Sequence, residues 1–522
     1  MWGPRRAGTT LASWGDMLAR IQTTAIVGVE ACPVTVEVDA RKGGGLMPGL
    51  NLVGLPSSRV SEGKVRIRTA LINAGFKLES RRITINLAPA GLRKDTAAFD
   101  LPIALALLAA FEEIPTSALE GVLAIGELAL DGALRPVRGV LPAVARARQE
   151  GHAQALVPAA NAQEAAVVQG VAVHAAAHLR PVVEHLLGAR LLPQVTPQPT
   201  PASIRQGPDL AEVRSQALPK RALEIAAAGG HNLLLVGPPG AGKSMLARRL
   251  PGILPAPSFE ERLETTRVFS VAGLLNGTPL LRDRPFRAPH HSISPVGLVG
   301  GGPHLRPGEL SLAHRGVLFL DELLEFPRAT LEGLRQPLEE RRITITRARG
   351  SVHLPADVQL VAAMNPCPCG HAGDPRRTCV CSDKAVRRYW SRLSGPLLDR
   401  IDLQIPVPAV DFDTLVGDGV EEPSAVVAAR VEAARAVQRA RHGADERTNA
   451  HLNAAEVRRH CALDAASRGA LRRAVERFGL SARAVQRVLK VARTIADLAG
   501  REALSRRDVL EAVGYRELRP PA

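Results

Sequence analysis

No run of about twenty apolar residues occurs anywhere in the 522-residue chain, and nothing near its start resembles a secretory signal. A membrane-spanning helix is excluded, and a cytoplasmic location with no membrane partner is the expectation. Cysteine is scarce too: there are six, of which Cys367, Cys369, Cys379 and Cys381 crowd together while Cys32 and Cys461 stand alone and are read as packed. That distribution excludes a disulfide framework between distant parts of the fold. Aromatic residues make up 3% of the chain, and none falls in the basic segment 341–350, so nothing there can stack on bases. Acidic residues are outnumbered, with 51 Asp and Glu against 67 Lys and Arg and a formal charge of +16. An excess of that size favours a polyanionic partner, nucleic acid before membrane, although arginines that merely solvate helices would give the same count.

What is present begins with Gly237, Pro238, Pro239, Gly240, Ala241, Gly242, Lys243 and Ser244, which satisfy G-x-x-x-x-G-K-[ST]. The apolar run 232–236 before them reads as a buried strand, and residues 244–250 open an amphipathic helix, so the loop lies between strand and helix. Glycines in such a loop turn backbone N–H groups toward phosphates at a helix N-terminus. Lys243 is expected to reach the β- and γ-phosphates of ATP, and Ser244 to hold Mg²⁺. Further on, the apolar run 316–320 ends in Asp321 and Glu322. Carboxylates at the end of a central parallel strand stand where open α/β sheets bind ligands. Asp321 is the candidate Mg²⁺ holder and Glu322 the candidate base that polarises the attacking water.

A third apolar run, 358–364, ends in Asn365; Arg400 precedes another strand-like segment, and Arg483 follows Ser481 at a helix start. With these motifs in this order the chain resembles the AAA+ superfamily, in its magnesium-chelatase-like and MCM-like branch. The resemblance implies Asn365 as a sensor, Arg400 as an arginine finger reaching a neighbouring subunit, and Arg483 as a second sensor. Residues 222–232, the stretch Phe286-Arg287-Ala288-Pro289-His290-His291-Ser292, and Asn365-Pro366-Cys367-Pro368-Cys369-Gly370 are similar to the ComM (YifB) family of magnesium-chelatase-like ATPases. What that family implies is a homo-oligomeric ring, a hexamer, that hydrolyses ATP. It acts on single-stranded or branched DNA, driving branch migration during natural transformation. A metal-chelatase-type motor subunit acting on a protein partner is the alternative.

The expected fold is multidomain α/β. Residues 1–16 show no periodic pattern and are expected to be a disordered tail or a misassigned start. Residues 17–190 alternate strand-like and helical segments, an α+β domain that resembles the Lon protease domain around 93–102 and 125–132. Lon cuts peptides with a Ser-Lys dyad. Here the best ungapped match places Ala98 and Leu141 at those positions, with Thr96 and Lys94 nearby under a shifted alignment. A non-proteolytic module is expected. Residues 191–208 are rich in proline and read as a linker. An AAA+ P-loop α/β core is expected over 209–410 and a C-terminal helical lid over 411–522. In the lid, Asn453-x-x-Glu456 and Ser505-x-x-Asp508 read as capping boxes, and 482–498 as an amphipathic helix whose outer face is free to present arginines.

Two insertions are the candidate DNA contacts. One is Gly-, Pro- and His-rich, spans 282–307 and contains Arg287; the other, 341–350, alternates strand residues with Arg342, Arg347 and Arg349 and ends at a turn glycine. A basic hairpin at a ring pore grips phosphates, whereas a solvated hairpin edge carries such charges for solubility alone. His290 and His291 lack partners at ligand spacing, which disfavours a metal there. The C-x-C…C-x-C cluster, with His371 in its loop, is the candidate Zn²⁺ site, with free thiols and redox chemistry as the other readings.

Overall fold

Strand Leu18–Val27 pairs antiparallel with Glu30–Arg41 through a tight turn, and both alternate buried and exposed positions as strands packed on one face do. They form the centre of a seven-stranded mixed sheet in the order Leu50–Val53, Arg82–Ala88, Glu30–Arg41, Leu18–Val27, Val122–Ala124, Gln154–Pro158, Ala172–Ala176. Helix Asp100–Ala110 is buried along its whole length, which explains why its sequence is apolar on every side. Its one charge, Asp100, accepts from Arg66 Nε at 2.6 Å and Nη2 at 3.1 Å. This computed structural model describes residues 18–41, 50–54, 57–79, 81–92, 94, 96–198, 207–302, 305–347, 350–374, 376–410, 421–443 and 447–516. The expected tail 1–16 lies outside them. The chain divides into two compact units, one comprising residues 1–199 with 270–279 and the other 200–269 with 280–522.

Nothing in the first unit assembles a Ser-Lys dyad among the described residues. Ala98 and Leu141 are buried apolar side chains. Lys94 is fully buried with its ammonium donating to the carbonyls of Gly54 (2.9 Å), Leu87 (2.8 Å) and Pro89. Thr96 Oγ1 accepts from the Ala98 N–H and caps a short 3₁₀ turn. The proline-rich stretch expected to be a linker is not free over its first half. The Val195 N–H donates to Val173 O on the edge strand, and the Gln198 N–H to Gln163 Oε1 on the short helix Ala162–Ala166; residues 199–206 lie outside the described residues. A proline-rich composition does not by itself tell a tethered stretch from a free linker.

The second unit contains a five-stranded sheet, every strand parallel to its neighbours, in the order Phe286–Arg287, Val317–Leu320, Gln359–Met364, Leu233–Val236, Leu403–Pro406. Three of these strands are buried at every position, matching the continuous apolar runs that parallel sheets covered on both faces require. Among the described residues five α-helices follow: Ser424–His442, Ala454–His460, Ala465–Phe478, Ala482–Leu498 and Arg506–Gly514. Both expected capping boxes form. The outer face of Ala482–Leu498 is less free than its pattern implies: Arg487 Nη1 donates to Asp402 at 2.6 Å, and Arg493, 2% exposed, donates to Asp497.

Candidate functional site

Strand Leu233–Val236 delivers the glycine-rich loop to the carboxyl edge of the parallel sheet, and helix Lys243–Ile253 carries it away. Gly240 and Gly242 adopt φ of +77° and +86°, and a Cβ at either would meet nothing within 4 Å, so the space before the loop is open. Gly237 is glycine for a different reason: its Cβ would lie 2.1 Å from the carbonyl oxygen of Val407 on the neighbouring chain segment.

Lys243 is 8% exposed and donates to Gly237 O (2.7 Å), Pro238 O (2.9 Å) and Asn365 Oδ1 (3.1 Å). Burial lowers its pKa, and the carboxylates of Asp321 and Glu322 oppose that shift. An ammonium held among dipoles, with no carboxylate in hydrogen-bonding contact, gains when an anion enters, so the cradle fits a polyphosphate. Ser244 Oγ donates to Asp321 Oδ2 at 2.6 Å, a pair of hard oxygen ligands that suits Mg²⁺. Beside the loop lies a cavity of about 350 Å³, lined among others by Pro239, Gly242, Met245, His371 and Arg377. That volume is in the range of small-molecule sites.

Glu322 has φ +50° and ψ +49°, a left-handed conformation that non-glycine residues adopt rarely and mostly where function constrains the backbone. Asp321 Oδ1 accepts its N–H at 3.0 Å, and His291 Nδ1 lies 3.5 Å from Glu322 Oε2. His291 was legible only as half of a histidine pair; its place beside Glu322 comes from the turn after strand Phe286–Arg287. Two other residues missed in the sequence organise the arginines. Glu339 pairs with Arg400, which also donates to Pro396 O at 2.7 Å, and Glu339 Oε1 lies 3.8 Å from Arg483. Asp402 accepts from the Asn232 N–H at 2.9 Å and from Arg487, while Asn232 Nδ2 donates to Arg400 O at 3.0 Å. The arginine segment is thus tied to the base of the phosphate-loop strand.

The candidate DNA residues fare unequally. Strands Arg342–Arg347 and Gly350–Pro355 form the expected antiparallel hairpin, and Arg342 is exposed. Arg341, expected in the same basic surface, turns instead to Asp357 (3.3 Å) and Ala450 O (3.2 Å). Arg287 is spent on a two-pronged pair with Glu309 at 2.6 and 2.8 Å. Arg347 lies on the hairpin strand, and Arg349 falls outside the described residues. Among the described residues one group of potential metal ligands comes together outside the phosphate site, the thiols of Cys367, Cys369, Cys379 and Cys381.

Three family descriptions cover most of the chain: "Magnesium chelatase, subunit ChlI" over 209–415, "Subunit ChlI of Mg-chelatase" over 36–161, and "Magnesium chelatase, subunit ChlI C-terminal" over 421–516. The class is that of magnesium-chelatase-like α/β proteins with C-terminal helices. Among relatives, YifB of Escherichia coli K12 is 45% identical over 507 residues, 96% of this chain and 97% of its own. "Competence protein ComM" of Haemophilus influenzae is 45% identical over 507 residues, covering 96% and 98%. An uncharacterized protein of Mycobacterium tuberculosis H37Rv is 44% identical over 508 residues, covering 96% and 99%. The chain belongs to the ComM/YifB family of magnesium-chelatase-like proteins. Membership implies use of ATP and Mg²⁺, and the residues above fit both. No helix among the described residues is long and apolar enough to cross a membrane.

Proposed function

We propose that this protein is an AAA+ ATPase that works as a ring motor on single-stranded or branched DNA and promotes its integration by branch migration. The observation that carries the ATPase is the convergence of Lys243, Asn365, Ser244, Asp321 and Glu322 at one edge of the parallel sheet. The sheet order supports the AAA+ assignment, with the phosphate-loop strand between Gln359–Met364 and Leu403–Pro406. Support for DNA comes from the formal charge of +16, the exposed Arg342 on its hairpin, and the printed name of the Haemophilus relative.

Each residue has a definable task. Backbone N–H groups of the loop and Lys243 bind the polyphosphate; Ser244 and Asp321 hold the metal; Glu322 accepts a proton from the attacking water; Asn365 orients Lys243 and that water. When bound by Ser244 and Asp321, Mg²⁺ would supply Lewis-acid stabilisation of negative charge on phosphate oxygens. Arg400 supplies positive charge to the nucleotide of a neighbouring copy in a homo-oligomeric, hexameric ring, with Arg483 beside it. Losing an arginine finger lowers the rate by about 10³–10⁵-fold. Arg400→Ala is therefore expected to abolish turnover and to spare nucleotide binding.

The deciding experiment is steady-state ATP hydrolysis with and without single-stranded and four-way-junction DNA at two salt concentrations, with Glu322→Gln as the blank. Stimulation by DNA that weakens with salt and vanishes in the variant is the expected result. Hydrolysis indifferent to DNA would refute the DNA motor and favour a chelatase-type subunit acting on a protein partner, a reading that the ChlI-like family descriptions themselves support.

A further inference from the structure

The thiols that follow Asn365 are arranged as ligands, not as disulfides. Cys367 Sγ lies 3.4 Å from Cys369 Sγ and 3.6 Å from Cys379 Sγ, and Cys369 Sγ lies 3.6 Å from Cys379 Sγ. All four sulfurs, Cys381 included, fall within 4.8 Å of one another. A disulfide needs about 2.0 Å. Four thiolates at about 2.3 Å from a tetrahedral Zn²⁺ stand about 3.8 Å apart, close to the observed spacing. Backbone N–H groups already point at the sulfurs, from Ala372 to Cys367 at 3.3 Å and from Cys369 to Cys381 at 3.4 Å. Such donors stabilise thiolates around a metal. The ligand atoms that come together are the four sulfurs, and His371, whose Nδ1 lies 3.3 Å from Asp374 Oδ2, is not among them. Trp390 donates from Nε1 to the carbonyl of Pro366, the residue before Cys367, at 2.8 Å.

The position of this cluster gives it a consequence beyond local stability. The loop it would pin begins directly after Asn365, the residue in contact with Lys243. Gly370, at φ +86°, sits so close to the phosphate loop that an added Cβ would lie 2.7 Å from Pro239 Cδ. From the same loop, His371, Asp374, Arg376 and Arg377 line the cavity together with Pro239 and Gly242. A stretch this rich in glycine, proline and charge has little apolar surface with which to hold itself in place.

We propose that Cys367, Cys369, Cys379 and Cys381 hold one Zn²⁺ as a tetrathiolate, and that this metal fixes the loop as a wall of the cavity beside the phosphate loop, so that metal loss weakens nucleotide binding. The second half rests on the cavity being a nucleotide site; the first does not. A tetrahedral sulfur set is shared by zinc and iron–sulfur centres, and zinc needs no inorganic sulfide or redox partner.

The test uses the full chain purified without chelator. Elemental analysis is expected to find one zinc per chain. Cobalt exchange should give the visible absorption and thiolate-to-cobalt charge transfer of a tetrahedral sulfur site. Replacing both Cys379→Ser and Cys381→Ser should remove the metal. To separate metal loss from misfolding of that variant, zinc is also stripped from the intact wild-type chain with a mercurial reagent, then restored after thiol addition. Stripping should weaken a fluorescent ADP analogue about tenfold, the factor expected if the binding-competent loop falls to about a tenth of the population. Returning zinc should restore it. A chain that neither retains zinc nor shields its thiols when zinc is added overturns the site, and iron with acid-labile sulfide overturns the choice of metal. Equal ADP affinity with and without zinc overturns the clamp. If the zinc-replete chain binds no ADP, the nucleotide reading fails while the metal count still stands as a test of the site.

Discussion

Acidification to pH 5 is expected to destabilise the second unit through one buried side chain, His231, just before the phosphate-loop strand. His231 is fully buried, its Nε2 2.8 Å from Thr494 Oγ1. That hydroxyl donates to Lys490 O and accepts from Asn449 Nδ2, so the ring donates from Nε2 and leaves Nδ1 bare. No hydrogen-bond partner reaches Nδ1, and Asp402 Oδ2 lies 3.9 Å away. Burial pushes the pKa down to about 4 from 6.5, against the pull of Asp402. The unfolded chain therefore binds a proton between pH 6.5 and about 4 that the folded chain refuses, so stability is full above that window and falls as pH drops through it. Between pH 7 and pH 5 the loss from this ring alone is ~2 kcal/mol. Trp390 is the tryptophan among the described residues and lies in the second unit, so replacing Trp2 and Trp14 with Phe makes its fluorescence a report on that unit. Urea titrations at both pH values would be compared for this chain and its His231→Gln variant. Other histidines whose pKa burial lowers, His451 and His442 among them, titrate in both chains and cancel. The variant should lose ~2 kcal/mol less on acidification. Equal losses, within about 0.5 kcal/mol, would refute the assignment of a neutral buried ring.

Gly237→Ala should cost about 1–3 kcal/mol by the same urea assay and abolish binding of fluorescent ADP, because its Cβ would lie 2.1 Å from Val407 O. Lys94→Met should destabilise the first unit by about 3 kcal/mol, since it leaves the carbonyls of Gly54, Leu87 and Pro89 without their donor. Faster amide exchange in strand Arg82–Ala88 is the readout, and unchanged exchange would contradict it. Glu339→Gln should change urea stability by less than about 1 kcal/mol, because the half-exposed carboxylate forms a solvent-screened pair. It should nevertheless lower the protein concentration at which ATP hydrolysis is half-maximal, by freeing Arg400 for a neighbour. Loss of hydrolysis in His291→Ala at unchanged ADP affinity would assign His291 a part in positioning Glu322.

What could be read from the sequence was whatever depends on contiguous residues. Runs such as 316–320 and 358–364 became buried parallel strands because a strand covered on both faces must be apolar throughout, and Gly240 and Gly242 carry the positive φ their motif needs. The capping boxes at Asn453 and Ser505 were legible for the same reason, since donor and acceptor lie three residues apart. Charge partners were not legible, because a side chain's partner is chosen by the fold. Arg341 and Arg342 are neighbours in a basic run, yet one turns to Asp357 and the other stays exposed, 3.8 Å from Glu340. Arg287 read as a contact for phosphates until Glu309, 22 positions away, met both of its prongs.

Glu339 is the most consequential partner of this kind. Nothing in its spacing marks it, but it joins Arg400 to Arg483, residues 83 positions apart that the sequence connects only through family resemblance. Glu339 pairs directly with Arg400 and lies 3.8 Å from Arg483, so one substitution at this acid perturbs the surroundings of both guanidiniums at once.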